Sequence, residues 1–413
     1  MTVSEMTKNS FINYDGRTKM RDSLLKIYSL FQLTLVIFLF GGSSLFGQYD
    51  DEDDQNKFDM PDTKIVKSLH LKLVSKSSHE YRFGAPVEVG KMNFEVKYDQ
   101  NAQPVEVVVY DEDGAINYKN TYEYDDNGNK TVEINYESDG AINYKLTYQY
   151  NGNNDCTEII HYDSDGSIAN KTANKYDDAG NLTESVEYDS DGSILKKSKF
   201  QFDAAGNLIE EVQYESDGTI ISKTIYKYDA SNKPVEITVY ESDGSIISKN
   251  VFKYDASELL AEDTKYDSDG SILSKITYAY NTAGNLVEQV NYESGGEIEK
   301  RVINKYDTNQ NLLEQIEYEA DGTVIRKHKS DYDADNNKIS DIEYEPDGTI
   351  VYNNTYSYDS SGRLLESAFF TPEGNLSMKW HYNYGPQNLL EEVIQYNSLD
   401  EPYIKQVYTY EHY

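Results

Sequence analysis

The residues best equipped for chemistry in this chain are paired acids in short D-x-D-G loops, as in "YDSDGSILSK", Tyr266 to Lys275. Two aspartates one residue apart, followed by serine, offer the hard oxygen ligands that calcium takes. The clearest pairs are Asp163 with Asp165, Asp189 with Asp191, and Asp267 with Asp269. A calcium loop of the EF-hand kind closes with a bidentate glutamate at its twelfth position. Counted from Asp267, that position is Tyr278. The first acid also alternates with glutamate, at Glu137, Glu215 and Glu241, and Gly295 replaces the second. What recurs is the glycine, from Gly114 through Gly192 and Gly270 to Gly374. Glycine supplies the positive φ of a tight corner, and aspartate accepts from nearby backbone N–H groups. The loop therefore reads first as a hairpin corner; calcium is the subordinate reading, and no other cofactor is expected.

Two further series carry charge. A glutamate recurs from Glu106 through Glu184 to Glu392, eight residues after an aromatic anchor, and a lysine or arginine recurs twenty-one residues after it. Buried carboxylates need hydrogen-bond donors, and tyrosine hydroxyls are the donors nearest in sequence, which suggests a Glu–Tyr ladder. A repeated ligand groove is the alternative. Catalysis asks for one distinct constellation, which near-identical copies do not supply. Cys156 is the single cysteine, and the six histidines are scattered singly. No GxSxG, HExxH or phosphate-binding loop is present. The chain reads as a non-enzyme.

The elements that must position these residues follow from one period. Aromatic anchors stand at Tyr98, Tyr124, Tyr150, Tyr176, Phe202, Tyr228 and onward to Tyr410, every interval being 26 residues. A second aromatic lies twelve residues after each anchor, as at Tyr188, Tyr214 and Tyr266. Each unit has two similar halves, "YDDAGNL" (Tyr176 to Leu182) and "YESDGSI" (Tyr240 to Ile246). Tyr176, Gly180, Leu182 and Glu184 in the first half, and Tyr188, Gly192 and Ile194 in the second, hold the register, as do Tyr266, Gly270 and Ile272 in a later copy. Alternation in "LIEEVQY" (Leu208 to Tyr214) makes each half one strand plus one turn. Both half-lengths, 12 and 14 residues, are even, so both aromatic series are expected on one sheet face and the lysines on the other.

Residues 97–413 then form twelve hairpin repeats, an all-β antiparallel meander with a 26-residue period. About 24 strands at ~4.8 Å spacing make a sheet on the order of 115 Å wide. Open sheets far beyond ~10 strands curl, so a coiled spiral or curved, solenoid-like sheet is expected. Residues 48–96 read as an acidic linker and an N-terminal cap, with strand-like stretches "KIVKSLHLKLV" and "KMNFEVKY".

Residues 1–47 have the order of a secretory signal: Arg21 and Lys26, an apolar run from Leu30 to Phe40, then small residues, with cleavage near Gly47. Residues 1–19 read as an extension ahead of a start at Met20. The apolar run is short for a permanent span, so no stable membrane span is expected after cleavage. The formal charge is −35, with 73 acidic against 38 basic residues. Such a surface repels nucleic acid and anionic membranes.

The first half-repeat resembles the tyrosine-aspartate (YD) repeat of the RHS family, written Y-D-x-x-G-[RN]-L. "YDSSGRL" (Tyr358 to Leu364) and "YDDAGNL" fit throughout, and "FDAAGNL" and "YNTAGNL" each differ at one position. The second half is similar to the hairpin repeats of MORN-like proteins. The resemblance implies a β-sheet shell at a bacterial surface or around a toxin. The expected function is an exported, non-enzymatic scaffold or interaction protein that is periplasmic, surface-bound or secreted, with an unidentified protein or glycan as partner. The alternatives are a carbohydrate- or peptide-binding module using repeated tyrosines, and an RHS-like shell for a separately encoded toxin.

Overall fold

Tyrosine, isoleucine, valine and threonine in alternation favour extended chain, and a glycine corner after each short run turns it back on its neighbour. The computed structural model describes residues 63–413. The signal-peptide reading of residues 1–47 and most of the acidic linker lie outside the described residues. Helix α1 (Thr63–Leu69) leads into β1 (Leu71–Arg82) and a two-residue strand β2 (Ala85–Pro86). From β3 (Lys91–Tyr98) an antiparallel meander runs without interruption to β27 (Pro402–His412). The stretch "KIVKSLHLKLV", expected to be extended, is therefore helix in its first half and strand in its second.

The sheet is closed. β1 pairs with β3 on one edge, through Val74 and Val96, and with β27 on the other, through Val74 and Tyr410. The result is a 26-strand antiparallel barrel, formed by β1 and β3 to β27. The open spiral or solenoid-like sheet expected from sequence is thus corrected. The physical cause is local and repeated. Each hairpin from β3 to β27 shifts register by one residue beside its turn, for example between Gln213 and Tyr214 and between Lys227 and Tyr228. Such bulges bend a strand and increase its twist.

The same bulges set the tilt. One hydrogen-bonded row passes through Lys227, Glu236, Val251, Thr264, Lys275 and Tyr292. It starts beside one set of turns on β13 (Ile220–Tyr228) and ends beside the opposite set on β18 (Leu286–Tyr292). The stagger is about one residue per strand, the ratio that in an eight-stranded barrel gives a tilt of about 36°. A circular ring of 26 such strands would be about 50 Å across.

The bulge also inverts face parity at every corner. On β12 (Leu208–Tyr214), Glu210, Val212 and Tyr214 share a face with Lys223, Ile225 and Lys227 of β13, because Val212 lies opposite Lys223. The anchor Tyr228 and Tyr226 fall on the other face. The two aromatic series therefore occupy opposite faces, and the recurrent lysines stand on the glutamate face. The expectation of one aromatic face fails because a corner with one extra residue exchanges odd for even positions.

Few strand residues are fully buried along the array. The most deeply buried side chains, Val66, Leu71, Val74 and Val96, gather where α1, β1 and β3 meet. Phe94, Ala102, Leu389 and Tyr408 are also buried on the two edges that β1 joins or on corners near them, and Val393 is buried one strand in from β27. The most deeply buried part of the core is the seam, while Val186, Leu208, Val212, Val290 and Ala368 are buried singly along the wall.

Candidate functional site

Two kinds of corner alternate, one kind at each rim. At the YD rim, Asp177 N–H donates to Asn181 O (3.0 Å) and Gly180 N–H to Asp177 O (3.0 Å), with Gly180 at φ 85°. Asp177 Oδ1 accepts from the backbone N–H groups of Ala179 and Asn181, and Asn181 Nδ2 donates to Asp177 Oδ2. The Asn181 amide, reinforced by these backbone donors, holds the Asp177 carboxyl below its usual range.

The DG rim carries the proposed calcium acids. Asp267 Oδ1 accepts from Asp269 N–H (3.1 Å) and Ser271 N–H (3.0 Å), and Asp269 Oδ1 accepts from Ser271 N–H (2.8 Å). Asp189 and Asp191 repeat this arrangement. Asp165 takes both the N–H and the hydroxyl of Ser167. Asp163 closes its turn through backbone bonds with Gly166 and Ser167. Among the described residues no three histidine, cysteine or acidic side chains gather as a metal-binding group. Gly192 and Gly270 hold φ near 86° and 85°, which is what these corners require.

Between the rims, the recurrent glutamate is clamped. Glu184, on β10 (Leu182–Asp189), meets Lys175 of β9 (Ile168–Tyr176) at 2.8 Å and Lys197 of β11 (Ile194–Phe202) at 2.7 Å. Glu236 sits between Lys227 and Lys249, Glu262 between Lys253 and Lys275, and Glu314 between Lys305 and Lys327. Lys175 first, then Lys197, pull the Glu184 carboxyl down to about 2, and Glu262 is lowered likewise to about 2 by Lys253 and Lys275. The expected Glu–Tyr ladder is therefore a Lys–Glu–Lys ladder across three strands. The tyrosines of this face serve the lysines instead: Lys171 lies 5.5 Å from the Tyr188 ring centre and Lys249 lies 5.9 Å from that of Tyr266.

The anchor tyrosines make a bond that periodicity did not reveal. Tyr176 donates its hydroxyl to Cys156 O (2.8 Å), Tyr228 to Leu208 O (2.8 Å), Tyr254 to Pro234 O (2.8 Å) and Tyr306 to Leu286 O (2.9 Å), each twenty residues back. The signal was present: twelve of thirteen anchors are tyrosine and only Phe202 lacks the hydroxyl.

One cluster breaks the repeat. Glu133 accepts from Lys130 Nζ (2.6 Å) and from the hydroxyls of Tyr144 and Tyr148 (3.4 Å each), while Lys130 lies 4.9 Å from the Tyr148 ring centre. His161 stacks edge-on against Tyr144. Burial and the Glu133 charge push the Tyr144 hydroxyl up to about 12, and Tyr148 upward too. These hydroxyls stay protonated at neutral pH and are donors, not bases. Burial raises the Cys156 thiol, whose Sγ–H faces Glu158 O, so it is a poor nucleophile. Trp380 packs edge-on against Phe369 at 5.1 Å. An open cleft of about 590 Å³ beside the seam is lined by Asn383, Glu391, Glu392, Tyr408 and His412.

A family model described as "uncharacterised protein" matches residues 198–300 and, overlapping, 229–345. No curated protein sequence matches the chain. Among solved structures, the chain is similar to a crystal structure of TcdB2-TccC3-Cdc42, at 13% identity and a TM-score of 0.27 over 81% of this chain and 25% of that one. The chain thus spans about a quarter of that protein's length. It is also similar to a porin-like protein from Bacteroides uniformis, at 11% identity and a TM-score of 0.22, covering 83% of this chain and 97% of that one. A porin-like protein from Bacteroides vulgatus matches at 12% identity and a TM-score of 0.15, covering 83% and 98%.

Proposed function

We propose that this protein is an exported, non-enzymatic β-barrel scaffold that works by presenting its surface to a protein partner outside the cytoplasm. The observation that carries this reading is the Lys–Glu–Lys clamp, repeated around Glu184, Glu236, Glu262 and Glu314. Each carboxylate is neutralised by the wall itself, and repetition leaves no single site distinguished for chemistry. The anchor hydroxyls are committed to backbone carbonyls, which argues against a glycan site built from those tyrosines.

Neither face suits lipid. One face carries the lysine and glutamate ladder, and the other carries Glu133, Glu211, Asp263, Glu317 and Asp341 in mid-strand. A membrane barrel needs an unbroken outward apolar band and strands of about 9–11 residues, whereas here only alternate strands such as β13 reach 9 and their neighbours β12 and β18 have 7. Among the described residues no helix is long and apolar enough to cross a membrane. The wall therefore belongs in water. Closure of the barrel favours, as a second reading, a shell for a separately encoded cargo such as a toxin.

Expression of the full chain in a Gram-negative host, followed by fractionation and mass spectrometry of its N-terminus, tests the export reading. A mature chain beginning near Gln48 outside the cytoplasm is expected. An uncut chain retained in the cytoplasm would refute it.

A further inference from the structure

The two rims are built from equivalent corners but have different surfaces. The twelve five-residue DG corners, such as residues 267–271, hold 24 acidic residues and no lysine, arginine or histidine. The twelve YD corners, such as residues 255–259, hold 14 acidic residues together with Lys233 and Arg363. Apolar exposure is just as unequal. Of 18 large apolar side chains exposed among the described residues, 14 lie at the DG rim.

They follow a pattern. Ile116, Ile142, Ile168, Ile220, Ile246 and Ile272 each open the strand after a DG corner, and each is 36% to 40% exposed. Leu195 and Leu273, the bulged residues beside them, are more exposed still, and Phe83, Val89 and Leu399 add to the same rim. The corresponding position after a YD corner is covered: Leu208 is buried, and Leu182, Leu260 and Leu286 are not exposed. There the anchor tyrosine donates to the carbonyl of that very residue, as Tyr228 does to Leu208 and Tyr280 to Leu260. Among the described residues, the carbonyls of Ile220, Ile246 and Ile272 at the DG rim take no such bond from a tyrosine. An apolar ring bordered by carboxylates is thus left open at one end of the barrel only.

We propose that the DG rim is a docking surface for a cationic amphipathic protein segment, one that sets lysine or arginine between aliphatic or aromatic side chains. A second copy does not fit, because either rim of another barrel brings more negative charge. Neighbouring DG corners lie two strands apart, about 10 Å, so a helix of about 20 residues, ~30 Å long, reaches three of them. Its apolar stripe covers the isoleucines and its cations meet the acids, a geometry that fits helix-in-groove recognition. This inference rests on the scaffold reading above and names its partner's chemistry.

The test uses the purified full chain and a fluorescent 20-residue leucine–lysine peptide, followed by anisotropy across a salt series. A second peptide of equal charge has serine in place of leucine. The leucine peptide is expected to bind, with the serine peptide at least about tenfold weaker. The triple variant I220S/I246S/I272S should lose about tenfold, and so should D217N/D243N/D269N, which keeps the apolar ring in case the first variant folds poorly. L313S/I339S at the opposite rim should bind as the parent does. Absence of binding by the parent, equal binding of the serine peptide, or equal loss in the opposite-rim variant each overturns the proposal. Export is read separately from the N-terminus, so correct processing with no rim binding sinks this inference and leaves the scaffold reading standing.

Discussion

At the scale of the residue, the decisive groups are the ones that satisfy backbone. Ten of the thirteen anchors tether a tyrosine hydroxyl to the carbonyl twenty residues back, and Phe202 is the one anchor without a hydroxyl. Phe202→Tyr should supply the missing bond to Leu182 O and raise stability by about 1 kcal/mol, measured as the midpoint shift in urea; no shift, or a loss, would show that the tether is worth nothing there. The D-x-D-G acids are also committed to backbone donors. D267N/D269N should leave the melting temperature as insensitive to added calcium as the parent, and a calcium-dependent rise in the parent that the variant lacks would favour the calcium reading over the corner reading. Corner chemistry was legible in the sequence because glycine and aspartate act locally. The tyrosine tether was legible only as the hydroxyl kept at twelve of thirteen anchors, because its acceptor is a carbonyl that every residue type carries.

At the scale of the element, the clamp ties three strands together through one carboxylate. Because the folded-state values of Glu184 and Glu262 fall to about 2, against about 4.3 in the unfolded chain, each clamp stabilises the protein above that unfolded value. Its contribution fades as pH falls from there toward 2. Lys175 and Lys253 are mostly exposed, so solvent screening keeps the contribution of each clamp small. Glu184→Gln should therefore lower the melting temperature at pH 7 and match the parent near pH 2; a deficit independent of pH would mean that packing, not charge, is lost. The glutamate and lysine periods are plain in sequence, yet their meeting was misread. Even spacing predicts the face of a strand only if corners add no bulge, and here each does.

At the scale of the whole molecule, the seam decides the architecture. β1 satisfies the edges of both β3 and β27, and α1 covers the junction with Val66 against the most buried part of the protein. Tyr413 N–H donates to His70 O (3.0 Å), joining the two ends of the described chain. Leu71→Ala should cost about 2–4 kcal/mol, whereas the rim truncation Ile272→Ala should cost under about 1 kcal/mol. Equal losses in chemical denaturation would show that the seam has no special place in stability.

The 26-residue period, the hairpin as repeating unit, the corner at each glycine and the absence of an interruption were determined by sequence alone, since turn propensity and strand alternation act over a few residues. Closure, tilt and the assignment of faces were decided only by tertiary structure. A one-residue bulge leaves no mark on spacing, yet repeated at every hairpin it staggers the strands until the last can reach the first, and β1 joins them. The same bulge places lysine beside glutamate and leaves one rim apolar and acidic, a polarity invisible in a sequence whose two half-repeats look alike.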